Sequence, residues 1–200
     1  MIRILAVLFS LAFSLSAQAA SEAAAPIEAL DQGLLSVMHA GKSTPFGQRF
    51  ATLSPVVQHA FDLETILETS VGPRWKSFTP DQQQALQAEF LRFTVASYVS
   101  NFSSFDGEKF TIDPDTRAVG AEQVVATHII PASGDPARID YVMRQGSNGW
   151  QAVDVLLDGS ISRVAVQRSD FRSLLSGGPD ALVASLRKKV SDLSGGASVP

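Results

Sequence analysis

Residues 149–171, GWQAVDVLLDGSISRVAVQRSDF, read as a strand that turns at an Asp-Gly corner and enters a helix. From Trp150 to Leu157 the side chains are aromatic, β-branched or aliphatic, interrupted only by Gln151 and Asp154. That composition predicts a strand buried on at least one face. Val153 and Val155 alternate with Asp154, so the two valines are expected on one face and the carboxylate on the other. Beyond Asp158-Gly159, the residues Ile161, Val164, Phe171, Leu174 and Leu175 recur at helical spacing, with Arg163, Gln167, Arg168, Ser169 and Asp170 mostly on the other side. The chain is therefore expected to pass from the corner straight into a helix that folds back on the sheet.

The strand has neighbours upstream. Phe110 and Ile112, then Val125, Thr127 and Ile129, then Ile139, Tyr141 and Met143 alternate with a second set of residues at period two. Turn signals separate them at Asp113-Pro114-Asp115, Ser133-Gly134-Asp135-Pro136 and Gly146-Ser147-Asn148-Gly149. Connections this short join antiparallel strands, which predicts a four-stranded meander over about 108–113, 117–131, 137–145 and 149–157.

The first half has a different period. Ile27, Leu30, Leu34, Val37 and Met38 form a helical stripe after Pro26, and Gly41 is a stop. Thr44-Pro45 and Ser54-Pro55 read as starts of two short helices, Asp62 as the cap of a third, and Thr79-Pro80-Asp81 as the start of the longest. That last helix carries two apolar stripes, Leu86, Phe90 and Phe93 on one side and Leu91, Val95, Tyr98, Phe102 and Phe105 on the other. It therefore has two things to touch, either two parts of a filled core or core on one side and a cavity on the other. After Gly177-Gly178 a final helix starts at Pro179, and residues 194–200 read as a loose tail. Helices first and strands afterwards make the chain α+β, a curved antiparallel sheet wrapped by helices, which resembles the cone-like architecture of NTF2-like proteins.

Two hundred residues are enough for one domain with a real core. Arg3, the apolar run from Ile4 to Leu15 and Ala17-Gln18-Ala19 have the three-part form of a secretory signal, so residues 1–19 are expected to leave and 20–193 to be the domain. The chain has no cysteine, which excludes disulfides, a thiolate metal site and a lipid-modified mature terminus. A formal net charge of −4 argues against nucleic acid as a partner.

Nucleophile and phosphate-loop motifs are missing, and His39, His59 and His128 lack the spacing of a metal site. An isomerase or dehydratase of the cone fold would need a carboxylate and a tyrosine in an apolar pocket, for which Asp154 with Tyr141 and Tyr98 are the candidates. The competing reading of Asp154 is a structural carboxylate bonded to a backbone amide or paired with Arg163. Trp75 and Trp150 are read as core residues, not membrane anchors.

Two blocks carry a family resemblance. W-Q-A-V-D-V followed by D-G-S-I-S, R-S-D-F and a later Gly-Gly, together with FDLETILETSVGPRWKSFTPDQQQALQAEFLRFTVASYVSNF over 61–102, resembles the MlaC-type periplasmic carriers, auxiliary components of a toluene-tolerance-type ABC transport system. The hopanoid-associated HpnM branch is similar in the same blocks. The resemblance implies no enzyme and no cofactor but a periplasmic, monomeric lipid carrier. Its cargo would be phospholipid or hopanoid, and its partners an inner-membrane ABC transporter with a ring-forming lipid-binding subunit and an outer-membrane lipoprotein. It makes Phe61, Ile66, Trp75, Phe90, Phe93, Val95, Tyr98, Phe102, Ile129, Ile139, Tyr141, Met143, Val153, Val155, Ile161 and Val164 the expected lining of a lipid cavity. Arg163, Arg168 and Arg172, on one side of a helix near its mouth, are expected to meet the headgroup or a partner. A periplasmic module with a filled core and no ligand is the remaining alternative.

Overall fold

The structure, a computed structural model, describes residues 10–200, with side chains from Glu22 onward. Arg3 and the start of the expected signal run lie outside the described residues; from Ser10 the backbone is helical. Four helices come first: α1 (Ser10–Ala40), α2 (Phe46–Ala60), α3 (Leu63–Val71) and α4 (Pro80–Asn101). The sheet follows: β1 (Lys109–Ile112), β2 (Arg117–Val119), β3 (Glu122–Ile130), β4 (Ala137–Gly146), β5 (Gly149–Leu157) and β6 (Ile161–Ser162). Then come α5 (Arg163–Leu174) and α6 (Pro179–Ser194). The fold is α+β, an open antiparallel sheet in the order β1-β3-β4-β5-β6, with β2 on the same edge of β3 as β1.

Local chemistry explains most boundaries. Asp62 accepts from the Thr65 amide at 2.9 Å and starts α3. Thr79 and Gln82 form a reciprocal capping box at the head of α4, with Pro80 at the first helical position. The Ser147-Asn148 turn between β4 and β5 is closed by Gly149 at φ 87°, a left-handed conformation that favours glycine.

Other boundaries differ from expectation. Pro26 and Pro55 sit inside α1 and α2. Ser54-Pro55 therefore opens no new helix, and α1, at 31 residues, is longer than the 22-residue α4. The strand expected over 117–131 is two: Gly120, at φ 63°, lets Val119 fold back to pair with Glu122. Between the Asp-Gly corner and α5 lies β6, pairing with Leu156 and Leu157, so Ile161 is a strand residue and 50% exposed. Residues Asp158 and Gly159, at φ 51° and 68°, make that reversal tight enough for a strand to return.

The helices cover one face of the sheet. In register across it stand Val125, Tyr141 and Val155, then Thr127, Ile139 and Leu157, with Ile129 beside Phe110. A β-bulge breaks the β4–β5 ladder: Val142 faces Asp154 but Met143 faces Ala152, leaving Val153 as the extra residue. Ala152, not Val153, therefore continues the face of Val155. The corner after α2 is stitched to β5, where Phe61 bridges to Ala152 and the Asp62 amide donates to the Ala152 carbonyl. There the Gln151 side-chain amide donates to the carbonyls of Gln58, His59 and Phe61. The residues after α6 lie against the helices: Val199 packs on the core and Arg92 donates to the Pro200 carbonyl at 3.0 Å.

Candidate functional site

Between the covered face of the sheet and α1, α3 and α4 lies a cavity of about 380 Å³. Its floor is Phe110, Thr127, Ile129, Ile139, Tyr141, Val155 and Leu157; its walls are Leu34 of α1, Phe61, Leu63 and Ile66 at α3, and Phe90, Phe93 and Phe102 of α4. Asn101 and Arg163 line it and are exposed, which marks where it meets solvent. The aromatic wall is continuous, with Phe61 5.7 Å from Tyr98 and 6.1 Å from Tyr141 between ring centres, and Phe102 6.1 Å from Tyr98 and 5.9 Å from Phe110.

Polar side chains also reach its wall. The Tyr98 and Tyr141 phenols stand close enough to influence each other, and burial pushes both up from their ordinary range. Asp31 of α1 also lines the cavity, and burial, with a smaller contribution from the Glu28 charge, pushes its carboxyl up to about 7. No group of three or more potential metal ligands occurs among the described residues. His39 packs at a tilt against Phe105 and His128 meets Asp113 across 3.5 Å, each outside the cavity.

Asp154 is elsewhere. Its carboxylate accepts from the amides of Val155 at 2.7 Å and Val164 at 3.1 Å and from the Ser162 hydroxyl, while Ser162 itself accepts from the Ala165 amide. It joins β5 to the start of α5 through backbone amides and Ser162, not through Arg163. It does not share a pocket with Tyr98 and Tyr141.

The family profile described as MlaC protein matches residues 28–188. This chain belongs to the MlaC family. Among solved structures, the phospholipid-binding protein of Ralstonia solanacearum, determined in complex with a phospholipid, matches 86% of this chain and 99% of its own. The TM-score is 0.74 at 20% identity, a likeness of fold.

Of the residues expected to line a cavity in an MlaC-family chain, Phe61, Ile66, Phe90, Phe93, Tyr98, Phe102, Ile129, Ile139, Tyr141 and Val155 do so. Six stand off its wall. Val95 and Met143 are fully buried in the core, and Trp75, 6% exposed, packs edge-on to Phe78. Val164 is buried near the start of α5, Ile161 is exposed, and the bulge removes Val153 from the cavity face. The three arginines do not share one side of α5. Arg163 and Arg168 are five residues apart, which at about 100° per residue sets them roughly 140° around the helix from each other. Arg163 enters the cavity lining, whereas the Arg168 guanidinium covers Gly72, where an added Cβ would come within 3.2 Å of Nη2. Arg172 is exposed in the last turn.

Lining residues outside the expected set are Asp31, Leu34, Leu63, Thr94, Ser97, Asn101, Phe110, Thr127, Leu157 and Gln167, although Leu34, Phe110 and Thr127 already stood in the apolar or alternating rows. Asp31 had a legible signal: it falls four residues after Ile27 and three before Leu34, on the apolar stripe itself.

Proposed function

We propose that this MlaC-family protein is a periplasmic lipid carrier that encloses acyl chain in the cavity and shuttles phospholipid or a hopanoid-type lipid between the inner and outer membranes. Its partners are then a transporter complex on one side and an acceptor lipoprotein on the other. The observation that carries this reading is an apolar, aromatic-walled cavity of about 380 Å³ placed between sheet and helices and open at Asn101 and Arg163. At about 30 Å³ per water-sized group such a space holds roughly a dozen methylenes. Shielding that many from water is worth on the order of 10 kcal/mol at about 0.8 kcal/mol each, before the cost of immobilising the lipid. Affinity then needs little polar recognition, and Arg163 is the cation placed to meet a phosphate.

One observation favours a proton-transfer enzyme: a carboxyl, Asp31, stands in the same apolar space as Tyr98 and Tyr141. Burial raises both phenols, however, which makes them poor proton donors at neutral pH. Native mass spectrometry of the purified protein tests the carrier reading. Stoichiometric lipid that survives purification is the expected result; a protein that emerges empty and takes up none from phospholipid vesicles overturns it.

A further inference from the structure

Asp31 is an unusual component of a wall that holds hydrocarbon. It stands on α1 beside Ile27, Leu30 and Leu34, none more than 1% exposed, is itself only 8% exposed, and lines the cavity. Neither a hydrogen-bond donor nor a neighbouring cation among the described residues offsets its burial. The groups around it are few. Glu28 is on its own helix, Tyr98 comes from α4 and Tyr141 from β4, while Arg163, from the start of α5, lines the cavity and acts on Tyr98 but not on this carboxyl. The other elements of the wall, α3, β1, β3 and β5, give it only uncharged side chains such as Leu63, Phe110, Thr127 and Val155. On the other side of α1, α2 meets the helix through Leu53 and Val56 at Gly33.

With no partner to offset its burial, a carboxylate so placed is held charged by hydration alone, and the cavity it lines is a side from which water can reach it. A lipid chain laid along the wall removes that water, and loss of hydration disfavours the charged form. We propose that the cavity takes up cargo together with a proton on Asp31, so that loading is favoured in mildly acidic conditions and release at alkaline pH. This rests on the carrier reading and adds a control to it. Burial, with a smaller contribution from Glu28, already pushes this carboxyl up to about 7. Cargo moves that titration upward, so affinity is constant well below pH 7 and falls above it.

The test titrates delipidated wild-type and Asp31→Asn proteins, from pH 5 to 9, with phosphatidylcholine vesicles containing a pyrene-labelled phosphatidylcholine, a headgroup that does not titrate in this range. The wild-type Kd is expected to be flat below about pH 6 and to rise toward tenfold per pH unit above 7, the limit for one linked proton. Asp31→Asn, uncharged throughout, is expected to hold one affinity across the range. A second measurement needs no variant. Calorimetry of the wild type at pH 7.5, in two buffers of different protonation enthalpy, is expected to show net proton uptake on loading. A pH-independent wild-type Kd, the same slope in Asp31→Asn, or no proton uptake would each overturn the proposal. Failure of both proteins to bind the labelled lipid at every pH is a different result, and refutes the carrier reading itself.

Discussion

Replacing Val155 by tryptophan should empty the cavity without unfolding the protein, and the same change at Val153 should do the reverse. Val155 faces the cavity opposite Tyr141, whereas Val153 is the bulged residue, 8% exposed and off the cavity wall. Tryptophan carries about seven more heavy atoms than valine; if each displaces a methylene of cargo, the loss is on the order of 5 kcal/mol at about 0.8 kcal/mol apiece. That corresponds to a Kd weakened by roughly three to four decades. The space already exists at Val155, so its stability cost should stay below about 1 kcal/mol. At Val153 the indole must push apart close-packed neighbours, at a cost of about 1–3 kcal/mol or more. For a protein of this size that lowers Tm by roughly 2–12 °C. Both variants and the wild type would be delipidated, melted by circular dichroism, and titrated with pyrene-labelled phosphatidylcholine. Wild-type affinity in Val155→Trp, or lost lipid with unchanged Tm in Val153→Trp, would refute both the placement of the cavity and the bulge's role in setting which side chain reaches it.

Three more outcomes follow from the site and its supports. Asp154→Ala removes the acceptor of three hydrogen bonds at the β5–α5 junction and should cost about 2–4 kcal/mol in urea unfolding, since hydrogen bonds to a charged group are the stronger kind, while lipid affinity in the folded protein is unchanged. Asp62→Ala should lose about 1 kcal/mol with the α3 cap, and an unaltered urea midpoint would show that the cap contributes nothing. The folded-state pKa of Asp31 is raised from 3.8 to about 7, so the unfolded chain releases this proton first and the acid's contribution to stability declines as pH rises from about 4 to 7. Asp31→Asn, tested without lipid, should therefore melt higher than the wild type at pH 8 and close to it at the acid end of that window; a constant difference across pH would contradict the assignment.

The fold was legible where a residue type had one local use. Thr79-Pro80 and Asp62 were legible as helix starts, because each places a capping oxygen where it accepts from an amide of the first turn. The four rows of strands were legible from alternation, and the resemblance in 61–102 and 149–171 pointed to the family that residues 28–188 match. The departures have particular causes. In WQAVDVLL every position suits a strand, so a bulge changes no residue type, and only the register against Val142 and Met143 moves Val153 off the face. Pro55 looked like a helix start, but proline also survives inside a helix where the surrounding packing outweighs the missing hydrogen bond. Asp31 was passed over although the stripe it interrupts could have marked it, since a helix face that buries Ile27, Leu30 and Leu34 also buries a residue that shares it.

The stitch between Gln151 and the α2–α3 corner also governs when the cavity comes into being. Its three carbonyl contacts span 90 to 93 residues of chain, and the cavity wall itself draws on residues from Asp31 to Gln167. Contacts so distant close only after a large loop entropy has been overcome, which slows folding relative to a helical bundle of similar size. The helices can form early, each from its own capped segment, yet they enclose nothing until β5 arrives to receive Phe61. A chain caught at that stage would show helical circular dichroism and an exposed row of phenylalanines, prone to join its neighbours. Lipid available at that moment would bind only the finished form and draw the slow final step forward, so that cargo would serve the newly made protein as a folding ligand before it served as freight.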